Sequence, residues 1–199
     1  MISKTFVDGK ILKKYKVPID EVNELNTIYE LEKNKLGSKG SKLAGRIDSE
    51  LDVTTFIENT KIYKTLIKYI SEFIMASNHF DIFDKPAANL NIISCWINDM
   101  KEGEYNPPHT HHDNTGWSTV LFLKVPEIVN DAKHKHKFRD GQLGFVWDNG
   151  NAVRHFDPVV GDFYVFKANH QHAVMPFKTK KKGDIRRSMS FNFVVNDKQ

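Results

Sequence analysis

Tyr105-Asn106-Pro107-Pro108-His109-Thr110-His111-His112-Asp113 is an extended segment that ends in a cluster of metal-ligating side chains. The two prolines disfavour helix ahead of the histidines. The run that follows, Trp117-Ser118-Thr119-Val120-Leu121-Phe122, has the aromatic and β-branched make-up of a strand. The cluster therefore sits where an extended chain turns. Residues i and i+2 of such a chain project to one face, and two pairs have that spacing: His109 with His111, and His111 with Asp113. His111 belongs to both, while His109 and Asp113 compete for one ligand position.

A distant partner lies in Asn169-His170-Gln171-His172. A strand ending near Phe166 and a tight turn would launch His172 directly before the apolar Ala173-Val174. His170 shares its parity but falls on the turn. Further on, Arg186, Ser188, Ser190 and Asn192 alternate with Arg187, Met189, Phe191 and Phe193. If the apolar side of that strand packs on neighbouring elements, Arg186 is buried on the opposite side. A buried guanidinium needs an anionic partner, and its planar fork matches a carboxylate, with Ser188 able to add a hydroxyl. Three imidazole or carboxylate ligands on one face of an octahedron leave the other positions open, the pattern of a non-haem Fe(II) site that accepts a chelating cosubstrate and dioxygen.

Short strands surround these motifs. The segments 90–100, 105–111, 118–125, 143–147, 152–156, 163–166, 172–176 and 187–195 each carry strand composition or alternation. Turn residues punctuate them at Glu102-Gly103-Glu104, Asp148-Asn149-Gly150-Asn151 and Val160-Gly161-Asp162. Eight such strands predict a jelly roll, a cupin-like double sheet in which side chains from several strands converge. The first 86 residues differ. A short edge strand is expected at 11–17 and an amphipathic helix over 19–36. A mobile Gly/Ser/Lys loop is expected at 37–45, and a second helix between 56 and 80 that starts near Thr60. The chain thus reads as one domain, 1–199, with a helical support (1–86) and a β core (87–199). The fold class is mainly β with two or so flanking α-helices.

Bulk properties fit that reading. The 199 residues are 40% hydrophobic and 27% charged, which suits a globular domain rather than a disordered chain. A formal charge of +4, much of it in 134–137 and 178–182, is a weak pointer to nucleic acid, because lysine runs are usually solvated. The single cysteine, Cys95, excludes an internal disulfide and suits a buried thiol in a reducing cytoplasm. No signal peptide or membrane span is expected. His134 and His136 read as a solvated basic loop. Tyr105, Trp117 and Trp147 are candidate pocket walls, and 130–140 is a candidate lid.

Taken in order, Trp96-Ile97-Asn98, then Gly103-Glu104-Tyr105-Asn106-Pro107-Pro108-His109-Thr110-His111, then 118–126, 158–172 and Arg186-Arg187-Ser188-Met189-Ser190-Phe191-Asn192 resemble the small 2-oxoglutarate/Fe(II) oxygenases of phages and marine bacteria. Those enzymes are relatives of the prolyl hydroxylases. The resemblance covers roughly residues 90–195. It implies a double-stranded β-helix, Fe(II), 2-oxoglutarate and dioxygen, with succinate and carbon dioxide as coproducts of hydroxylating a small-molecule or peptide substrate. It implies that Arg186 and Ser188 receive the far carboxylate of 2-oxoglutarate and that Asn98 contacts the cosubstrate. It also favours His109 with His111 as the paired ligands, although Asp113 follows closely. Two rival readings keep less of the pattern: a cupin-type dioxygenase or isomerase would need no buried Arg186, and a non-catalytic binding module would need no metal.

Overall fold

The structure, a computed structural model, describes residues 4–7, 11–78, 89–111, 116–129, 139–147, 150 and 152–196. Eleven strands among them form two antiparallel sheets. The major sheet has the order β1 (Lys4–Val7), β2 (Ile11–Lys16), β9 (Asp162–Lys167), β6 (Trp117–Lys124), β11 (Arg186–Asn196), β4 (Asn89–Met100) and β3 (Ser49–Asp52). The minor sheet has the order β5 (Asn106–His109), β10 (His172–Val174), β7 (Leu143–Trp147) and β8 (Ala152–Phe156). This is the double-stranded β-helix architecture, and the eight strands anticipated beyond residue 86 are all present. Their interleaving puts strands far apart in sequence side by side, which is what a convergent interior requires.

Three helices accompany the sheets: α1 (Ile19–Glu32), the single turn α2 (Thr54–Ile57) and α3 (Lys61–Asn78). Val22, Leu25 and Tyr29 of α1 and Ile62, Leu66, Ile70 and Phe73 of α3 are buried. Each set follows the three- and four-residue spacing of one helix face. Both stripes pack on the outer side of the major sheet, joining Cys95, Ile97, Leu121, Phe163, Val165, Met189, Phe191 and Phe193 in one core. At about 2 kcal/mol per buried apolar side chain, this layer is the main stabiliser of the helices. A second core lies between the sheets, built from Met100, Val120, Phe122, Phe145, Tyr164 and Phe166 among others.

Residues 1–86 are more than a helical support, because β1, β2 and β3 extend the major sheet at both edges. The expected strand at 11–17 is there but lies one place inside the edge, with β1 outside it. Helix α3 starts at Lys61, and α1 ends at Glu32 before a short 3-10 turn. The segment 37–45 is tied down rather than loose. Asp52 N–H bonds the Gly37 carbonyl and Lys39 N–H bonds the Glu50 carbonyl, while the Lys39 ammonium pairs with Asp52 at 2.8 Å. Its composition suggests a mobile loop, but β3 satisfies some of its backbone groups. At the corner before β9, Gly161 adopts φ 83° and a Cβ there would lie 2.8 Å from the Val17 carbonyl oxygen. Only glycine fits both demands.

Candidate metal centre

The register of β10 against β5 sets His172 directly opposite His109. His111, just beyond β5, is held by a backbone bond from its N–H to the Ala168 carbonyl at 2.9 Å. One ring nitrogen from each of His109, His111 and His172 lies within 4.8 Å of the others. Nε2 of His111 and Nε2 of His172 are 3.0 Å apart. Ligand nitrogens about 2.1 Å from one divalent cation and at right angles to each other would be about 3.0 Å apart, so the spacing is that of adjacent corners of a coordination polyhedron.

Backbone carbonyls orient two of the rings. His109 donates Nδ1–H to the Pro107 carbonyl at 2.7 Å, and His172 donates Nδ1–H to the His170 carbonyl at 2.9 Å. Each bond leaves the Nε2 lone pair pointing inward, the outer-shell arrangement that fixes a ligating tautomer. Burial lowers the pKa of His109, of His111 to about 3 with His109 adding to the effect, and of His172 well below the usual value. All three rings are therefore neutral at physiological pH, as metal binding requires. Trp96 flanks His111, with ring centroids 5.7 Å apart, and Phe166 flanks His172 at 4.7 Å.

Arg186 lies on the same interior. Its side chain is wholly buried, its guanidinium stacks on Phe122 at 4.7 Å, and Nη1 reaches only the Met100 sulfur at 3.3 Å. Nε and Nη2 have no hydrogen-bond partner among the described residues, and burial alone pulls the guanidinium down to about 9. Ser188, Asn98 and Asn192 are buried on this face too, with Ser188 in register with Asn98. An orphaned guanidinium and a set of convergent neutral imidazoles in one interior are a fit for a chelated metal with a carboxylate-bearing cosubstrate.

A cavity of about 420 Å³ opens beside His109 and His111. Trp96, Asn106 and Asn192 are among its lining, Lys39 and Lys42 bring in the loop before β3, and Glu50 brings in β3 itself. Nothing in the order of residues points to that loop or to Glu50. They reach the site only because β3 pairs with β4, with Glu50 opposite Asn98. The expected aromatic walls differ as well. Trp117 packs edge-on against Phe73 of α3 on the helical side, Trp147 is enclosed by His170 and Arg154, and Tyr105 is not among the residues lining the cavity. His170 occupies the turn before β10 and contacts the Val146 carbonyl. Asp113, His112, His134, His136 and residues 130–138 of the candidate lid at 130–140 lie outside the described residues.

Residues 94–192 match the family described as "Putative 2OG-Fe(II) oxygenase". That span contains His109, His111, His172, Arg186 and Ser188. No curated protein sequence matches the chain. Among solved structures, a Pseudomonas putida prolyl-4-hydroxylase aligns with a TM-score of 0.63 at 18% identity, covering 94% of this chain and 93% of that one. The viral collagen prolyl hydroxylase of Paramecium bursaria Chlorella virus-1, solved as a 2OG complex, aligns with a TM-score of 0.63 at 15% identity over 94% and 97%. A prolyl hydroxylase from Trichoplax adhaerens, bound to a hypoxia inducible factor peptide fragment, gives a TM-score of 0.52 at 17% identity over 88% and 77%.

Proposed function

We propose that this chain, whose residues 94–192 match a 2OG-Fe(II) oxygenase family and which shares the fold of prolyl hydroxylases, acts over residues 1–199 as one dioxygenase unit that hydroxylates a C–H bond of an organic substrate. The single observation that carries the reading is the buried Arg186 without a counter-ion among the described residues, in the interior that also gathers His109, His111 and His172. A merely structural site would leave neither feature uncompensated. A metal-only cupin reading accounts for the imidazoles but leaves Arg186 unexplained.

His109, His111 and His172 would hold the ferrous ion, and Arg186 with Ser188 would take the far carboxylate of 2-oxoglutarate. When bound, these groups supply oxidation by dioxygen, with succinate and carbon dioxide as coproducts. The chain's own contribution is positional. Ser190 pairs with Trp96, whose ring flanks His111, and it lies four residues along β11 from Arg186, about 13 Å of strand. An extended arginine side chain plus a five-carbon diacid has that reach. Phe122, Phe145, Tyr164 and Phe166 exclude water from the floor, which strengthens the charge contact at Arg186. Neutral Nε2 atoms held by the Pro107 and His170 carbonyls need no proton release before metal binding. A reducing cytoplasm suits a ferrous centre and the buried free thiol of Cys95.

The test is release of succinate from 2-oxoglutarate with added Fe(II), together with iron content, in wild type, His172→Ala and Arg186→Met. Wild type should turn over, His172→Ala should lose iron and turnover together, and Arg186→Met should keep iron while turnover collapses. Iron-independent or absent succinate release by the wild type sinks the proposal.

A further inference from the structure

Among the described residues, two ionisable groups in the interior lack counter-ions, and they have opposite signs. Arg186 is one. Glu50 is the other: it is 1% exposed, it lines the cavity beside His109 and His111, and neither carboxylate oxygen has a hydrogen-bond partner among the described residues. Its register opposite Asn98, itself opposite Ser188, puts all three side chains on the inner face of the major sheet. The loop above leaves room for this carboxylate. A Cβ on Gly40 would come within 3.3 Å of Oε2 as its nearest contact, whereas one on Gly45 would meet Ile47 first, at 2.8 Å, with Oε1 at 3.1 Å. Gly40 has no positive φ, so the space over Glu50 is what a side chain there would crowd.

The other charges at the cavity are already answered. The Lys39 ammonium is bound to Asp52, and Lys42 is solvated. An unpaired carboxylate buried at this depth costs several kcal/mol, a cost that persists in the free protein and is relieved when a donor arrives. Burial, with the Glu104 carboxylate adding to it, pushes the Glu50 carboxyl up to about 7. Near neutral pH it is therefore charged only part of the time until a cation draws the proton off.

We infer that Glu50 anchors the primary substrate by accepting hydrogen bonds from a protonated amine or guanidinium, so that the molecule oxidised is basic, either a free amino-acid-like compound or a basic side chain of a peptide. The inference rests on the oxygenase reading for the chemistry that follows, but not for the binding itself. The cavity of about 420 Å³ is the size of a pocket for one such group. Its imidazole-lined end sets the carbons next to the cationic anchor beside the metal ligands. Asn106 and Asn192, each with a buried side-chain oxygen lacking a partner among the described residues, would accept further hydrogen bonds from the cation.

The experiment compares pairs that differ in one positive charge: L-arginine with L-citrulline and L-lysine with N6-acetyl-L-lysine, each also as the N-acetyl amide to stand for a peptide residue. Binding is measured by calorimetry and by melting temperature at pH 8 and constant ionic strength, on the full chain loaded with Mn(II) and N-oxalylglycine. The cationic member of at least one pair should bind wild type about tenfold or more tightly than its neutral isostere. Glu50→Gln and Glu50→Met should abolish that preference, and Glu50→Asp should keep part of it. The free and capped forms distinguish a metabolite from a peptide. Wild type that treats charged and neutral members alike, or a preference that survives Glu50→Gln, overturns the inference. Absence of succinate release in the separate turnover assay overturns only the oxygenase reading, because the binding comparison needs no turnover.

Discussion

Arg186 and Arg187 are consecutive on β11 and equally hidden from solvent, at 0% and 1% exposure, yet they face opposite sides of the major sheet and meet opposite fates. Arg187 points toward α1. Its Nε and Nη2 bond the two oxygens of Asp99 at 2.5 and 2.7 Å, Nη2 also reaches Glu30 and Nη1 reaches Asn26, and the guanidinium lies 4.4 Å from the centre of the Tyr29 ring. Burial lowers its pKa, but Asp99 and Glu30 more than offset that and raise it. Arg186, one residue earlier, has a sulfur atom and a phenyl face for company. The difference teaches how to tell a structural charge from a functional one. The first is satisfied by its own chain, whereas the second is satisfied only when something else arrives.

Breaking the structural side should produce the largest change. Arg187→Met leaves Asp99, whose side chain is 11% exposed, buried without its cation, and chemical denaturation should show a loss of about 3–5 kcal/mol. Arg186→Met should do the reverse. Its unfolding free energy should hold or rise, while succinate release from 2-oxoglutarate falls about 100-fold, near 2.7 kcal/mol. If Arg186→Met instead destabilises as much as Arg187→Met, the distinction between the two arginines is lost.

Glu50 sharpens the comparison from the acidic side. Its carboxyl sits at about 7 rather than 4.5, so the folded protein retains a proton that the unfolded chain has released between those values. Stability from this group therefore declines as pH rises from 4.5 to 7. Glu50→Gln removes the decline and should be more stable than wild type by about 3 kcal/mol at pH 8, with little difference at pH 4. Equal pH profiles for the two proteins would show that the carboxylate has a partner after all. The smallest effect belongs to Glu30, which is 46% exposed. Bonds from Lys33 and Arg187 lower its pKa from 4.5 to about 2. Its contribution is thus complete above 4.5 and vanishes as pH falls through about 2. Because solvent screens it, Glu30→Gln should cost only about 0.5–1 kcal/mol at pH 7, measurable as a shift in denaturation midpoint that disappears in acid.

Much of the fold was legible because its signals are local. Alternation along 187–195 and the stripes at Val22/Leu25/Tyr29 and Ile62/Leu66/Ile70/Phe73 each describe a surface that must be covered. The strands β1 and β3 were not legible. Ser-Glu-Leu-Asp at 49–52 has no apolar alternation and is a strand only because β4 offers it an edge. The parity of His109, His111 and His172 and of Arg186 and Ser188 could also be read along the chain, since side-chain direction in an extended segment follows from position. Glu50 could not, for a lone acid after a Gly/Ser/Lys loop looks like surface until the loop folds over it.

The sequence by itself determined most of the elements and which of their side chains share a face, because helical and extended periodicities are properties of a few consecutive residues. Only the tertiary structure decided which buried charges would find partners. Arg187 meets Asp99 across β4 and Glu30 across α1, while Arg186 and Glu50 meet none among the described residues. Compensation of a charge depends on groups brought within a few ångströms by packing, and separation along the chain carries no record of that distance.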